Sequence, residues 1–192
     1  MHYLLRTLFS LAVSRRRPAL SLWDTSSVRM RALPMDVDLA VHINNGVYFT
    51  LFDLGRFDLL VRSGAFDEAR RRGYSPVVSA ETISFRKPLN LGKRYEMQTR
   101  LLGTDEKAVY FEQRMVADGE VFARGYICTR MTSNEGPVPV EDLLTLGDPA
   151  PEGRNRVPQW LLDWRRSVAL PGSRRPAPNE WDAERQDEKR RV

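Results

Sequence analysis

Two residue types that carry much of protein chemistry are almost missing from this 192-residue chain. There is one cysteine, Cys128, so no intrachain disulfide can form, which fits a reducing compartment. The two histidines, His2 and His42, are far apart, and no Cys/His cluster has metal-ligand spacing, so no metal site is expected. Long apolar runs are missing too. The segment YLLRTLFSLAV (residues 3–13) is interrupted by Arg6 and is too short to span a bilayer. Its basic cluster, Arg15-Arg16-Arg17, follows the apolar stretch, whereas a signal peptide carries its charges in front. Two readings fit: an interfacial helix with arginines on anionic head groups, or a helix docked on the protein's own surface.

Excess charge is also missing from the body of the chain. The net charge is +5, but residues 1–33 already hold six arginines against Asp24 alone. Residues 34–170 carry 18 basic and 19 acidic side chains. A basic face for nucleic acid is therefore not supported. What is present is a 42% apolar composition, enough for one folded domain with a real core. The chain divides into an N-terminal apolar and basic segment (1–25), a core domain (26–146), a C-terminal helical extension (147–170) and a charged, proline-rich tail (171–192) read as disordered.

Residues 26–38 alternate Val28, Met30 and Ala32 with Ser27, Arg29 and Arg31, a strand period ended by Pro34. Residues 45–63 read as a helix, capped by Asn44 or Asn45 and closed by Gly64. It is apolar on most sides, which marks a core helix, and Asp58 and Arg62 can pair on its wet face. Residues 66–73 predict a short helical turn. Four strands follow, at 76–86, 94–102, 107–117 and 120–132, with an Asp118-Gly119 hairpin signal between the last two. Read in hairpin order, they give one mostly antiparallel sheet that must curl around the helix to bury it. Residues 140–146 and 157–168 predict C-terminal helices, the second packing through Trp160, Leu161, Trp164 and Val168.

Between the first strand and the core helix lies DVDLAVHINNGVY (residues 36–48). So many polar groups stand directly before a buried helix, at the one place where such a helix offers unpaired N–H donors. With its surroundings, the pattern D-x-D-x-x-x-H-x-N-N-x-x-Y, supported by DLGRFD at 53–58, resembles the hotdog-fold thioesterases of the 4-hydroxybenzoyl-CoA thioesterase-like branch. The likeness runs over roughly residues 26–133 and implies an α+β hotdog fold, an antiparallel sheet wrapped around a long central helix.

The resemblance implies hydrolysis of an acyl thioester carried on coenzyme A or acyl-carrier protein, with no cofactor beyond the coenzyme A of the substrate. Asn45 and Gly46 would present backbone N–H groups to the carbonyl oxygen. Asp38, the second aspartate of D-x-D, would activate water or attack the carbonyl. His42 matches a histidine of plant acyl-carrier-protein thioesterases, whose pattern is D-x-N-x-H; here the middle residue is Ala40. Tyr48 would line the pocket, and Arg86 and Lys87, with Lys93 and Arg94, could meet the phosphates of coenzyme A.

Each residue also has a plainer role. Asp38 can cap a turn, His42 can brace the loop, and Arg86 and Lys87 can belong to a solvated hairpin end. Asp53 is a rival carboxylate that can instead pair with Arg56, and Glu81 can face either way. The expected setting is cytoplasmic, with peripheral membrane contact through residues 3–17, and the expected assembly is a homodimer joined at a free sheet edge. The competing readings are a non-catalytic acyl- or lipid-binding protein on the same fold and a membrane-held interaction protein.

Overall fold

The computed structural model describes residues 2–172 and 175–178; most of the tail read as disordered lies outside them. Asn44 has an extended backbone (φ −61°, ψ 137°), and its side chain accepts the Gly46 N–H. That cap starts the central helix α2 (Asn45–Arg62), and Gly64, at φ 77°, leads into a short helix, Ala65–Arg71. Five strands build the sheet: β1 (Ser26–Arg31), β2 (Ser75–Phe85), β3 (Arg94–Thr104), β4 (Val109–Ala117) and β5 (Glu120–Ser133). The short β6 (Gly136–Pro137) adds to β5, and the β4–β5 turn has both Asp118 and Gly119 at positive φ.

The strand order is β1-β3-β4-β5-β2, with every pairing antiparallel. This corrects the hairpin order expected for the last four strands. Only β3, β4 and β5 form a meander, while β2 pairs with β5 and leaves its other side open. Residues 86–93 are therefore not a hairpin end but a crossover, with Leu89 fully buried. The sheet curls around α2 as the hotdog arrangement requires. Tyr95, Met97 and Thr99 of β3, Gln113 and Met115 of β4, and Ile127 of β5 are buried, as are Tyr48, Leu51, Phe52 and Leu59 of α2.

Two glycines set the distance between helix and sheet. A Cβ on Gly55 would stand 2.6 Å from Met97 and 2.7 Å from Thr99, and one on Gly125 would overlap the Phe52 ring. A side chain at either position would force the layers apart. The waist so formed is tied by Gln113, whose amide nitrogen donates to the Phe52 carbonyl and to Thr99 Oγ1, each at 2.8 Å.

Asp58 and Arg62 do pair (3.1 Å), but not on a wet face. The Asp58 side chain is 1% exposed and also accepts from Ser14 (2.7 Å), Arg17 (2.8 Å) and Ser26 (2.5 Å). Ser14 and Arg17 come from the N-terminal helix α1 (His2–Ser14) and the turn after it, so α1 is docked on the domain. It turns its polar residues inward: Arg6 meets the buried Asp36 at 2.6 Å. Its apolar residues face outward, with Leu4, Leu5, Leu8 and Phe9 all more than half exposed. No described helix is long and apolar enough to cross a membrane. On the outer face of the sheet, the C-terminal helix Gln159–Ser167 buries Leu161 against Leu102, Tyr110 and Cys128, and Trp160 stacks edge-on against Tyr126. Val168, expected on the same packing face, is 46% exposed.

Candidate active site

Strand β1 ends at Arg31, just before Ala32, the last residue of the alternation. Pro34–Asp36 instead form a 3-10 turn, closed by the Leu33 N–H donating to Asp36 Oδ2 at 3.0 Å. Asp36 is fully buried, with Oδ1 on Arg6. The first aspartate of the motif is thus a structural pin between α1 and the loop.

The loop then folds back on itself. Val37 bridges Ile43, the Asp38 N–H donates to the His42 carbonyl (3.1 Å), and the Val41 N–H donates to the Asp38 carbonyl (2.9 Å). Val41 sits at φ 60°, strained for a β-branched residue. The crossover holds the loop's far side: the Ile43 N–H donates to the Leu89 carbonyl, and His42 bridges Asn90. The Asn44 N–H returns to the Asp36 carbonyl at 2.8 Å.

This brings Asp38, His42 and the start of α2 together. Asp38 is about one-third exposed, and its Oδ1 accepts the Ala40 N–H at 2.9 Å, a turn-capping contact. His42 Nδ1 lies 3.8 Å from Asp38 Oδ1 and 3.2 Å from the Ile43 carbonyl oxygen. At the helix start, the Gly46 N–H is held by Asn44 Oδ1 and the Val47 N–H by the Asn44 carbonyl. Of the two donors expected for an oxyanion, Gly46 is therefore already occupied by the cap. The Asn45 N–H has no partner among the described residues.

Tyr48 is 2% exposed and packs edge-on against Phe85, so it is a wall behind the loop rather than a side chain presented to solvent. Burial raises its pKa, opposed by a hydrogen bond with the Leu89 backbone. Arg86 and Lys87 are exposed and both engage Glu120 beside the β4–β5 turn, while Lys93 engages Asp118. The hairpin-end setting is thus replaced by ion pairs across to a different turn, and their charge is partly spent.

A second titratable cluster lies farther along α2. Arg56 is buried, pairs with Asp53, stands 3.5 Å from Glu81 and donates to Gln113 Oε1 at 2.8 Å. Burial raises the pKa of Asp53 and of Glu81, and Arg56 offsets part of each rise; burial likewise lowers that of Arg56. From the sequence, Glu81 could face either way. A bulge between Val78 and Ala80 reverses the alternation, so Val78 and Glu81 both face inward, opposite Thr129 and Ile127.

Residues 32–164 match the model of the thioesterase-like superfamily. Protein THEM6 of Xenopus laevis is 34% identical over 67% of this chain and 63% of its own length. Protein THEM6 of Danio rerio is 37% identical over 57% of this chain and 54% of its own. The chain thus spans less than two thirds of either relative. Among solved structures, the probable thioesterase YbaW of Escherichia coli superposes with a TM-score of 0.59 at 20% identity, over 62% of this chain and 94% of that one. At that identity the likeness speaks for the hotdog fold alone.

Proposed function

Because the chain belongs to the thioesterase-like superfamily, we propose that it hydrolyses acyl thioesters, and in particular acyl-CoA with a fatty or aromatic acyl group. The observation that carries this is the placement of the one-third-exposed Asp38 carboxylate in the same short loop as the unpartnered Asn45 N–H at the start of a buried helix. The Asn45 N–H and the positive end of α2 stabilise the negative charge that develops on the thioester carbonyl oxygen. Asp38 takes a proton from water as the water oxygen attacks the carbonyl carbon; the tetrahedral intermediate then expels the thiolate, which is protonated to free coenzyme A. His42 orients Asp38 or shares that proton.

The cap from Ala40 to Asp38 favours a second reading, in which Asp38 only shapes the turn and the domain binds acyl groups without turning them over. Asp38→Asn separates the two. An asparagine oxygen still accepts the Ala40 N–H, but the carboxamide cannot act as a base. Steady-state hydrolysis of an acyl-CoA panel should fall at least about 100-fold in the variant. Unchanged turnover would sink Asp38 as the base, and no turnover by a folded wild type would favour the binding protein.

We further propose a homodimer joined at the open edge of β2, where Val77, Val78 and Phe85 are 41–50% exposed. A monomer in sedimentation velocity would overturn this. The outward apolar face of α1, with Arg15 and Arg16 at its end, supports peripheral contact with an anionic membrane. Liposome co-sedimentation of Leu8→Gln/Phe9→Gln against wild type tests it; equal partitioning would remove the contact. Deleting α1 is the poorer test, because the buried Asp36 would lose Arg6 and the buried Asp58 would lose Ser14.

A further inference from the structure

A cavity of about 360 Å³ lies at the opposite end of α2 from the Asp38 loop. Its walls include Phe57 and Leu60 of α2, Phe66 of the following helix, Phe111 of β4, and Leu143 and Leu146 near the C-terminal end of the core domain. That volume is within the range of small-molecule sites, about 300–1,000 Å³.

The cavity is separate from the candidate active site. Phe57 is about 18 Å along the helix axis from Asn45, at 1.5 Å per residue. Between them lies the waist where Gly55 and Gly125 let helix and sheet close on each other and Gln113 ties the two layers.

Two polar groups stand out in the apolar lining. The first is Thr129, 6% exposed, whose hydroxyl has no hydrogen-bond partner among the described residues. Its side chain faces inward from β5, and buried hydroxyls are rarely left unpaired. The second is Arg70, which makes no ion pair among the described residues, although its neighbours Arg71 and Arg72 both engage Glu68. An apolar chamber with one orphan hydroxyl and one uncommitted guanidinium suits an apolar chain that ends in an anionic acceptor.

We propose that this cavity binds a medium-chain carboxylic acid, the chain among Phe57, Leu60 and Phe111 and the carboxylate held by the Thr129 hydroxyl and the charge of Arg70. The proposal does not depend on the catalytic reading of Asp38.

Isothermal titration of the full chain with decanoic acid and with decanol tests it. Saturable one-to-one binding of decanoic acid is expected. Thr129→Val, which keeps the volume, should weaken both ligands about tenfold, the size of one lost hydrogen bond. Arg70→Ala should weaken the acid and leave the alcohol unchanged. Ala69→Phe, which fills the cavity, should abolish both; if it does not fold, the Thr129 and Arg70 variants still decide the matter. Asp38→Asn should bind decanoic acid as wild type does, whatever becomes of hydrolysis. Absence of saturable binding, equal weakening of acid and alcohol by Arg70→Ala, or displacement of decanoic acid by coenzyme A would each overturn the assignment.

Discussion

Arg6 and Asp36 lie 2.6 Å apart, with Asp36 fully buried and the Arg6 side chain 15% exposed. The first aspartate of the D-x-D motif is therefore closed off from solvent and fastens α1 to the loop that carries Asp38. The same carboxylate closes the turn at Leu33, so one group fixes both the position of the loop and its entry.

Removing the arginine would leave Asp36 buried without its cation. Arg6→Ala is expected to destabilise the fold by about 3 kcal/mol, at the lower end for breaking a buried pair. Urea unfolding reads this directly. A loss below about 0.5 kcal/mol, the scale of a surface substitution, would mean that the pair is solvated.

Asp58 should give the domain an acid-sensitive joint. Burial pushes its pKa up, but the hydrogen bonds from Ser26, Ser14 and Arg62 and the charge of Arg17 outweigh this and hold it below the ordinary carboxylate value. A depressed folded value contributes stability that is complete above the unfolded pKa, about 3.9, and is lost as pH falls through the folded value. The wild type should therefore lose more stability than Asp58→Asn between about pH 5 and pH 3. Parallel losses in the two proteins would show that Asp58 is not the group responsible.

Glu81 should act with the opposite sign. Burial and the neighbouring Asp53 raise its pKa, and Arg56 recovers only part of the rise. A carboxyl with a raised folded value contributes stability below its unfolded pKa and loses it as pH climbs through the folded one. Glu81→Gln should thus gain on the wild type between about pH 4 and pH 7, where the ordinary glutamate value of about 4.3 is passed. Thermal denaturation at both pH values checks it, and a gap that shrinks with rising pH would reverse the assignment.

These joints mark where the sequence was legible and where it was not. Local signals survived well: Asn44 capped α2, Gly64 followed its end, Asp118-Gly119 turned between β4 and β5, and β3, β4 and β5 fell within two residues of the ranges read for them. The position of β2 beside β5 was not legible, because contacts among strands far apart in sequence decide it. Nor was the facing of Glu81, since one bulge reverses a period of two without altering composition. The inward turn of Arg6 and Arg17 followed from partners thirty and forty-one residues away. At the site, the motif brought Asp38, His42 and Asn45 into view together, but only the cap geometry separated the occupied Gly46 N–H from the unpartnered one.

That separation allows the proposed oxyanion donor to be tested with little disturbance to the helix. Asn45 is the first residue of α2, where proline is well tolerated because its missing N–H has no intrahelical partner in any case. The preceding residue must then be extended, and Asn44 already is, at φ −61° and ψ 137°. Asn45→Pro therefore deletes the one unpartnered N–H while the Asn44 cap on Gly46 stays in place. If that N–H stabilises the developing negative charge, kcat should fall about 100- to 1,000-fold with KM and thermal stability nearly unchanged. The conservative control, Asn45→Ala, keeps the N–H and should keep most of the rate. Equal rates for the proline and alanine variants would move the oxyanion donor away from Asn45, leaving Gly46, released from its cap when substrate binds, as the donor to test next.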